Sequence, residues 1–230
     1  MTIRLYLTAE GDTEERFAAQ LLGPHLANFG VYLAGTRLTA LCKKKGRFHR
    51  GGMGHYLPAK SDICRWLKQD RNQDARFTTM IDLYGLPRDF PAYEEASRQT
   101  DPYARVQSLE QAFANDMGDP RFIPYIQLHE FESLLFSDPA AFRHFYPQCD
   151  RGVRCLEQLA TEFGNPELID DGESTAPSKR IREHIPEYGP RAKWTMGPLI
   201  AERITLDSIR TNCRHFNDWL TKLERLGSKQ

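Results

Sequence analysis

Three apolar, strand-like runs in this 230-residue chain each lead directly to an acidic site. Ile3-Arg4-Leu5-Tyr6-Leu7-Thr8-Ala9 reaches Glu10-Gly11. Phe77-Thr78-Thr79-Met80-Ile81 reaches Asp82-Leu83-Tyr84. Phe122-Ile123-Pro124-Tyr125-Ile126-Gln127 reaches His129-Glu130-Phe131-Glu132. Runs of this length and composition read as strands. If they are parallel neighbours, their C-terminal ends share one sheet edge, where ligands and chemistry collect in open α/β sheets. Carboxylates gathered there repel one another unless a cation lies between them, and oxygen donors suit Mg²⁺ or Mn²⁺. Glu10, Asp82 and Glu130 are therefore the expected metal ligands and catalytic acids, with Glu132 as a further ligand.

The segments between the runs carry helical patterns. Asp12 and Glu15 make a capping-box-like start, Phe17, Leu21 and Leu22 give an apolar face, and Gly30 marks a stop. A second strand is expected over residues 31–33, 36–41 or both, with a break at Gly35. Ile63, Trp66 and Leu67 predict a helix ending near Asp70, and Val106, Leu109 and Phe113 another. Gly118-Asp119-Pro120 turns the chain into the last run. The order β-α-β-α-β-α-β predicts an α/β fold with a mainly parallel four-stranded sheet flanked by helices. After His129 the chain reads as mostly helical: a short apolar turn at 131–136, helices at 153–163 and 178–184, and a long stripe over 207–226. Residues 1–145 are thus expected to form the α/β core. Residues 146–230 would be a helical extension packed on it as part of one structural unit.

Hydrophobic residues make up 40% of the chain and charged residues 27%, as in an ordinary globular protein. No apolar stretch approaches the roughly 18 residues of a membrane span. No basic segment followed by an apolar one opens the chain, so no leader is expected. Five scattered cysteines without a C-x-x-C pair point to reduced thiols and a cytoplasmic setting.

A net charge of zero argues against a simple nucleic-acid coat protein. The charges are nevertheless segregated. No acid occurs between Arg16 and Ser61, a stretch holding Arg37, Lys43, Lys44, Lys45, Arg47, Arg50 and Lys60. Residues 43–58, with four glycines and no helix or strand period, read as a mobile basic loop. A second cluster, Lys179, Arg180, Arg182, Arg191 and Lys193, is diluted by Glu183 and Glu187. Lys43, Lys44, Lys45, Arg47, Arg50, Arg180 and Lys193 are the expected contacts to nucleic-acid phosphates. Lys179 is the expected catalytic cation, since Ser178 can start the helix that presents it. Each of these residues also fits a solvated face.

The acids have plainer explanations too. Glu10 could simply favour the positive end of the next helix, and Asp82 could form a turn. Glu130 and Glu132 would share a face on a strand but diverge by about 200° on a helix. Phe131, Leu134 and Leu135 want the core, which favours Glu130. His129 is a ligand, a general base or a structural group. Other chemistries lack their motifs: there is no H-E-x-x-H, no phosphate loop, no G-x-G-x-x-G and no G-x-S-x-G.

Glu10-Gly11 after the first strand, an Asp after a later one and a third acidic site resemble the Toprim fold of topoisomerases, primases and OLD-type nucleases. More closely, Glu10-Gly11-Asp12-Thr13-Glu14-Glu15, Ile81-Asp82-Leu83-Tyr84-Gly85-Leu86-Pro87 and Gln127-Leu128-His129-Glu130-Phe131-Glu132 resemble an uncharacterised bacterial family of Toprim-like proteins. Pro177-Ser178-Lys179-Arg180 and Cys213-Arg214-His215-Phe216 extend that match. The resemblance implies a Mg²⁺-dependent nuclease-type subunit acting on DNA or RNA, with Glu10 also moving protons. It further implies an ABC- or SMC-like ATPase partner in bacterial antiphage defence. Tyr84 departs from the Toprim pattern, which places a second Asp there. Two other readings stand beside this one: a non-catalytic subunit whose degenerate site binds nucleic acid or a partner, and small-molecule phosphotransfer.

Overall fold

The computed structural model describes residues 2–39, 42–44, 47–49, 53–169 and 175–227, with the backbone alone described at 42–44, 47–49, 190 and 191. Lys45 and Arg50 lie outside the described residues. The sheet begins with β1 (Ile3–Ala9). A helical segment follows as α1 (Asp12–Phe17), a π-helical turn (Ala18–Leu22) and α2 (Gly23–Ala27), leading to β2 (Val31–Leu38). A small ribbon, β3 (Cys42–Lys44) and β4 (Arg47–His49), precedes α3 (Tyr56–Gln69) and β5 (Ala75–Asp82). Helices α4 (Tyr93–Ser97) and α5 (Pro102–Met117) lead to β6 (Phe122–Ile123) and β7 (Ile126–Gln127).

The expected parallel α/β sheet is present. Its order is β2-β1-β5-β6, with β7 also on β5, and every one of these pairings is parallel. The last expected strand is split because Pro124 has no N–H to donate to a ladder. The Thr79 hydroxyl bridges the break. It accepts from the Tyr125 amide and donates to the Tyr125 carbonyl, both at 2.9 Å.

Alternation along β1 sorts the two layers. Ile3, Leu5 and Leu7 face one core, shared with α1, α2 and the C-terminal helices. Tyr6 faces the other, stacking on Phe77 at 5.0 Å and meeting the edge of Trp66 at 4.9 Å. That second core holds the apolar sides of α3 and α5.

The chain after β7 is helical, as its sequence predicts. A 3₁₀ stretch (Phe131–Ser137) is followed by a short 3₁₀ turn (Pro139–Ala141), α6 (Phe142–Phe145) and another turn (Pro147–Cys149). Then come α7 (Asp150–Phe163), a turn at Pro166–Leu168, α8 (Pro177–His184), α9 (Pro190–Ile204), α10 (Leu206–Asn212) and α11 (Arg214–Arg225). Helix α11 docks on the sheet through Phe216, Trp219, Leu220 and Leu223, all buried. Each contributes about 1.5–3 kcal/mol relative to exposure. Trp219 stacks on Tyr125 at 4.2 Å and donates its indole N–H to Thr78 Oγ1 at 2.9 Å.

Three features differ from the sequence reading. Residues 43–58 were expected as a loop without regular structure. Instead β3 and β4 pair antiparallel (Cys42 with His49, Lys43 with Phe48, Lys44 with Arg47), and α3 begins at Tyr56. Strands of three residues are too short to show a period. The stripe over 207–226 is broken at Cys213, which is extended and buried (φ −119°, ψ 94°). The stripe stays continuous because both helices face the same core. Helix α9 has no counterpart in the sequence reading, because Gly197 and Pro198 interrupt its helical signal.

Gly152 is where α7 meets the end of α8. A Cβ there would lie 1.9 Å from the His184 carbonyl oxygen, a backbone atom that cannot swing aside. Gly152→Ala should therefore destabilise the fold by about 1–3 kcal/mol through overpacking. Urea denaturation checks this, and an unchanged midpoint would contradict it.

Candidate functional site

Numbered within the sheet alone, the strand order is 2-1-3-4, so the direction of winding reverses between β1 and β5. The crevice at such a switch point, outside the strands' carboxyl ends, is the usual ligand site of an open α/β sheet. Glu10 immediately follows β1, and Asp82 is the last residue of β5. Their separation is fixed by a direct bond: the Asp82 N–H donates to Glu10 Oε2 at 2.6 Å. Gly85 makes room for this contact, since a Cβ there would lie 3.1 Å from Glu10 Oε1.

Glu14 joins them from the first turn of α1. It is buried, and its Oε2 accepts from the Gly11 N–H at 2.8 Å. Asp82 is only 4% exposed. Its Oδ1 is buried and has no hydrogen-bond partner among the described residues.

The third acidic site follows β7. The Leu83 N–H donates to the Gln127 carbonyl at 2.9 Å, holding the end of β7 against the end of β5. His129 then adopts a left-handed backbone (φ 63°), which costs a non-glycine residue about 1–2 kcal/mol. This turn sends the chain from the strand into the 3₁₀ stretch. Glu130 remains extended and Glu132 lies in the first 3₁₀ turn, and both are fully buried. The choice between them therefore falls away, because Lys193 of α9 reaches both. Its Nζ lies 2.6 Å from Glu132 Oε2 and 3.5 Å from Glu130 Oε2. Glu130 Oε1 also accepts from the Ser178 N–H at the start of α8, and the Tyr188 hydroxyl donates to Glu132 Oε1 at 3.2 Å.

Among the described residues, Lys193 is the ammonium that reaches into this group of carboxyls. Burial, and then Glu10, Glu14 and Glu130, hold the Asp82 carboxyl well above the usual range, against the pull of Lys193. Burial and the neighbouring Glu10 push Glu14 up to about 7. Burial pushes Glu132 up to about 7; Lys193 opposes this and Glu130 adds to it. Burial alone would lower Lys193, but Glu132, Glu130 and Asp82 outweigh it and keep the ammonium charged well above its ordinary range. Half-exposed Tyr84 sits at the rim, its hydroxyl held above the ordinary range by burial and Glu130.

These shifts fix a pH dependence. Glu14 and Glu132 bind protons more tightly folded (about 7) than at their ordinary value of 4.5. Between those values the folded state holds more protons than the unfolded one, so stability falls as pH rises from about 4.5 to 7. Thermal melts in EDTA should show a falling midpoint across that window. A rising midpoint would contradict the buried-acid picture.

The donor set is entirely oxygen, as a hard cation requires. In the arrangement described, no three His, Cys, Asp or Glu side chains among the described residues stand ready to hold a metal ion. Among the described residues, protons and Lys193 oppose the charge of these carboxyls.

The remaining expected residues lie elsewhere. Lys179 is exposed on the first turn of α8. The Arg180 guanidinium donates to the Thr175 carbonyl at 2.7 Å and covers the Phe163 ring at 4.9 Å. Lys43, Lys44 and Arg47 belong to the β3–β4 ribbon. Lys193, expected on a phosphate, is held among the acids. Glu14, part of the Glu10–Glu15 block, was not singled out as a site residue because acids are common in first helical turns. Its spacing of four from Glu10, across Gly11, was the available signal. Tyr188 carried none.

No curated protein and no solved structure matches the chain significantly. A family match does cover residues 9–224, from the end of β1 almost to the end of α11, and so includes all five acids and Lys193. The chain belongs to the family described as Domain of unknown function (DUF4276).

Proposed function

We propose that this chain is a Mg²⁺- or Mn²⁺-dependent nuclease-type subunit acting on phosphodiesters of DNA or RNA. The observation that carries the reading is Asp82: a buried carboxyl with an oxygen unpartnered among the described residues, beside Glu10 and Glu14 at the sheet's switch point. A buried polar atom without a partner is costly, and so is ionising a buried carboxyl beside two others. A bound cation relieves both.

Glu10 and Asp82 would hold the ion, with Glu14 adjacent. When bound, it would supply charge stabilisation at a phosphoryl oxygen and a more acidic water. The chain's own residues supply the rest. Glu14 and Glu132, near 7, can take up or release a proton at neutral pH. Lys193 keeps Glu130 and Glu132 from repelling an approaching phosphate. The resemblance to OLD-type nucleases adds an ATPase partner and a role in antiphage defence to this proposal.

One set of contacts favours the alternative, a non-catalytic subunit. Glu130 and Glu132 already serve a structural purpose, joining α8 and α9 to the sheet edge through the Ser178 amide, Lys193 and Tyr188. Incubation of the pure protein with plasmid DNA or RNA separates the two readings. Cleavage that needs Mg²⁺ or Mn²⁺ and stops in EDTA is expected. Binding without cleavage under all conditions would leave only the second reading.

A further inference from the structure

A cavity of ≈ 230 Å³ lies on the α3 side of the sheet, between the end of β2 and α3. Its lining includes Thr8, Arg37, Thr39, Asp62, Arg65 and Trp66. From these residues we infer that it is a phosphate subsite, which seats a backbone phosphate of a nucleic-acid strand beside the acidic crevice. The inference rests on the proposed nuclease reading and names where its substrate is gripped.

The chemistry of the lining is that of an anion site. Two guanidinium groups outnumber one carboxylate, and the buried Thr8 adds a hydroxyl, that of Thr39 being committed to the Glu10 carbonyl. Arg37 is held in place before any ligand arrives. Its guanidinium lies 4.3 Å over the Trp66 ring, and its Nη2 donates to Gln69 Oε1 at 2.9 Å. An arginine fixed in this way loses little freedom on binding, and its remaining donors match phosphate oxygens. Arg65 is held by the exposed Asp62 carboxylate at 3.0 Å, a bond that a phosphate can replace at small cost.

Size and position narrow the ligand. The volume is below the roughly 300 Å³ at which pockets begin to enclose a drug-sized molecule, which suits one phosphate rather than a whole nucleotide. The Thr39 hydroxyl donates to the Glu10 carbonyl at 3.2 Å, so a single hydrogen bond links the cavity lining to the acids. The next strands of the chain, β3 and β4, carry Lys43, Lys44 and Arg47. A strand gripped here would therefore lie next to the acidic crevice.

The test measures metal-free binding, so that it is independent of cleavage. Fluorescence anisotropy in EDTA follows a labelled single-stranded oligonucleotide against salt, for wild type, Arg37→Lys, Arg65→Gln and the double variant. The double variant should bind at least roughly tenfold more weakly, a loss of about 1.4 kcal/mol. Its log–log salt slope should fall by roughly 0.7 for each phosphate that is no longer neutralised. Arg37→Lys keeps the charge and some of the packing, so it should keep the slope while losing affinity. Circular dichroism confirms that each variant is folded. Unchanged affinity and slope in the double variant, or no binding by wild type, would overturn the subsite. Displacement of the strand by millimolar inorganic phosphate in wild type would support it. Arg37-dependent binding of inorganic phosphate without binding of the strand would overturn it as a nucleic-acid site. Metal-dependent cleavage is scored separately: binding without cleavage would sink the nuclease reading and leave the subsite standing.

Discussion

Lys193→Met should cost about 3–5 kcal/mol of folding stability at neutral pH, the penalty for removing one partner of a buried ion pair. Glu130 and Glu132 are fully buried, and Lys193 is the only ammonium within 4 Å of either among the described residues. Without it the two carboxyls must either repel each other or take up protons. The cost should therefore shrink at pH 5, where protonation is cheap. It should also shrink in the double variant Lys193→Met, Glu132→Gln, because the two positions act as one unit. Urea denaturation at two pH values measures all of this. A loss below about 1 kcal/mol, the scale of an exposed pair, would place Lys193 outside the cluster's energetics.

Asp82→Asn should act in opposite directions on stability and activity. The substitution keeps the shape and removes a carboxyl whose ionised form burial, Glu10 and Glu14 all disfavour. In EDTA at pH 8 the variant should melt at or above the wild-type temperature. In Mg²⁺ its cleavage should fall by at least roughly 10³-fold, the scale of several kcal/mol of lost transition-state stabilisation. A variant that is both less stable in EDTA and fully active would make Asp82 a structural acid.

The strand-end acids were legible in the sequence because each follows an apolar run that leaves little else for the residue to do. Glu10 and Asp82 lie side by side for that reason, and their convergence follows from parallel pairing of β1 with β5. What was hidden depended on neighbours distant in sequence. Glu14 looks like any acid at a helix start until burial brings its carboxyl back to the Gly11 amide. Lys193 looked like one member of a solvated basic cluster because Gly197 and Pro198 mask the helix that carries it. The cation in the cluster thus comes from a helix that no local pattern announced, more than 60 residues beyond the acids it neutralises. The β3–β4 ribbon was missed for a simpler reason, since three-residue strands leave no periodic trace.

The central claim is that the crevice formed by Glu10, Glu14 and Asp82 binds a hard divalent cation, and a calorimetric titration with Mg²⁺ and Mn²⁺ tests it most directly. Burial and neighbouring acids hold the Asp82, Glu14 and Glu132 carboxyls above their ordinary range, Glu14 and Glu132 at about 7. Binding should therefore release protons, and the measured heat should change between buffers of different ionisation enthalpy. The same titration should raise the melting temperature, by about 2.7 kcal/mol of stabilisation at a hundredfold excess over Kd, and Asp82→Asn should abolish both signals. No binding heat and no thermal shift with either ion up to about 10 mM, a range in which even millimolar affinity would register, would contradict the account.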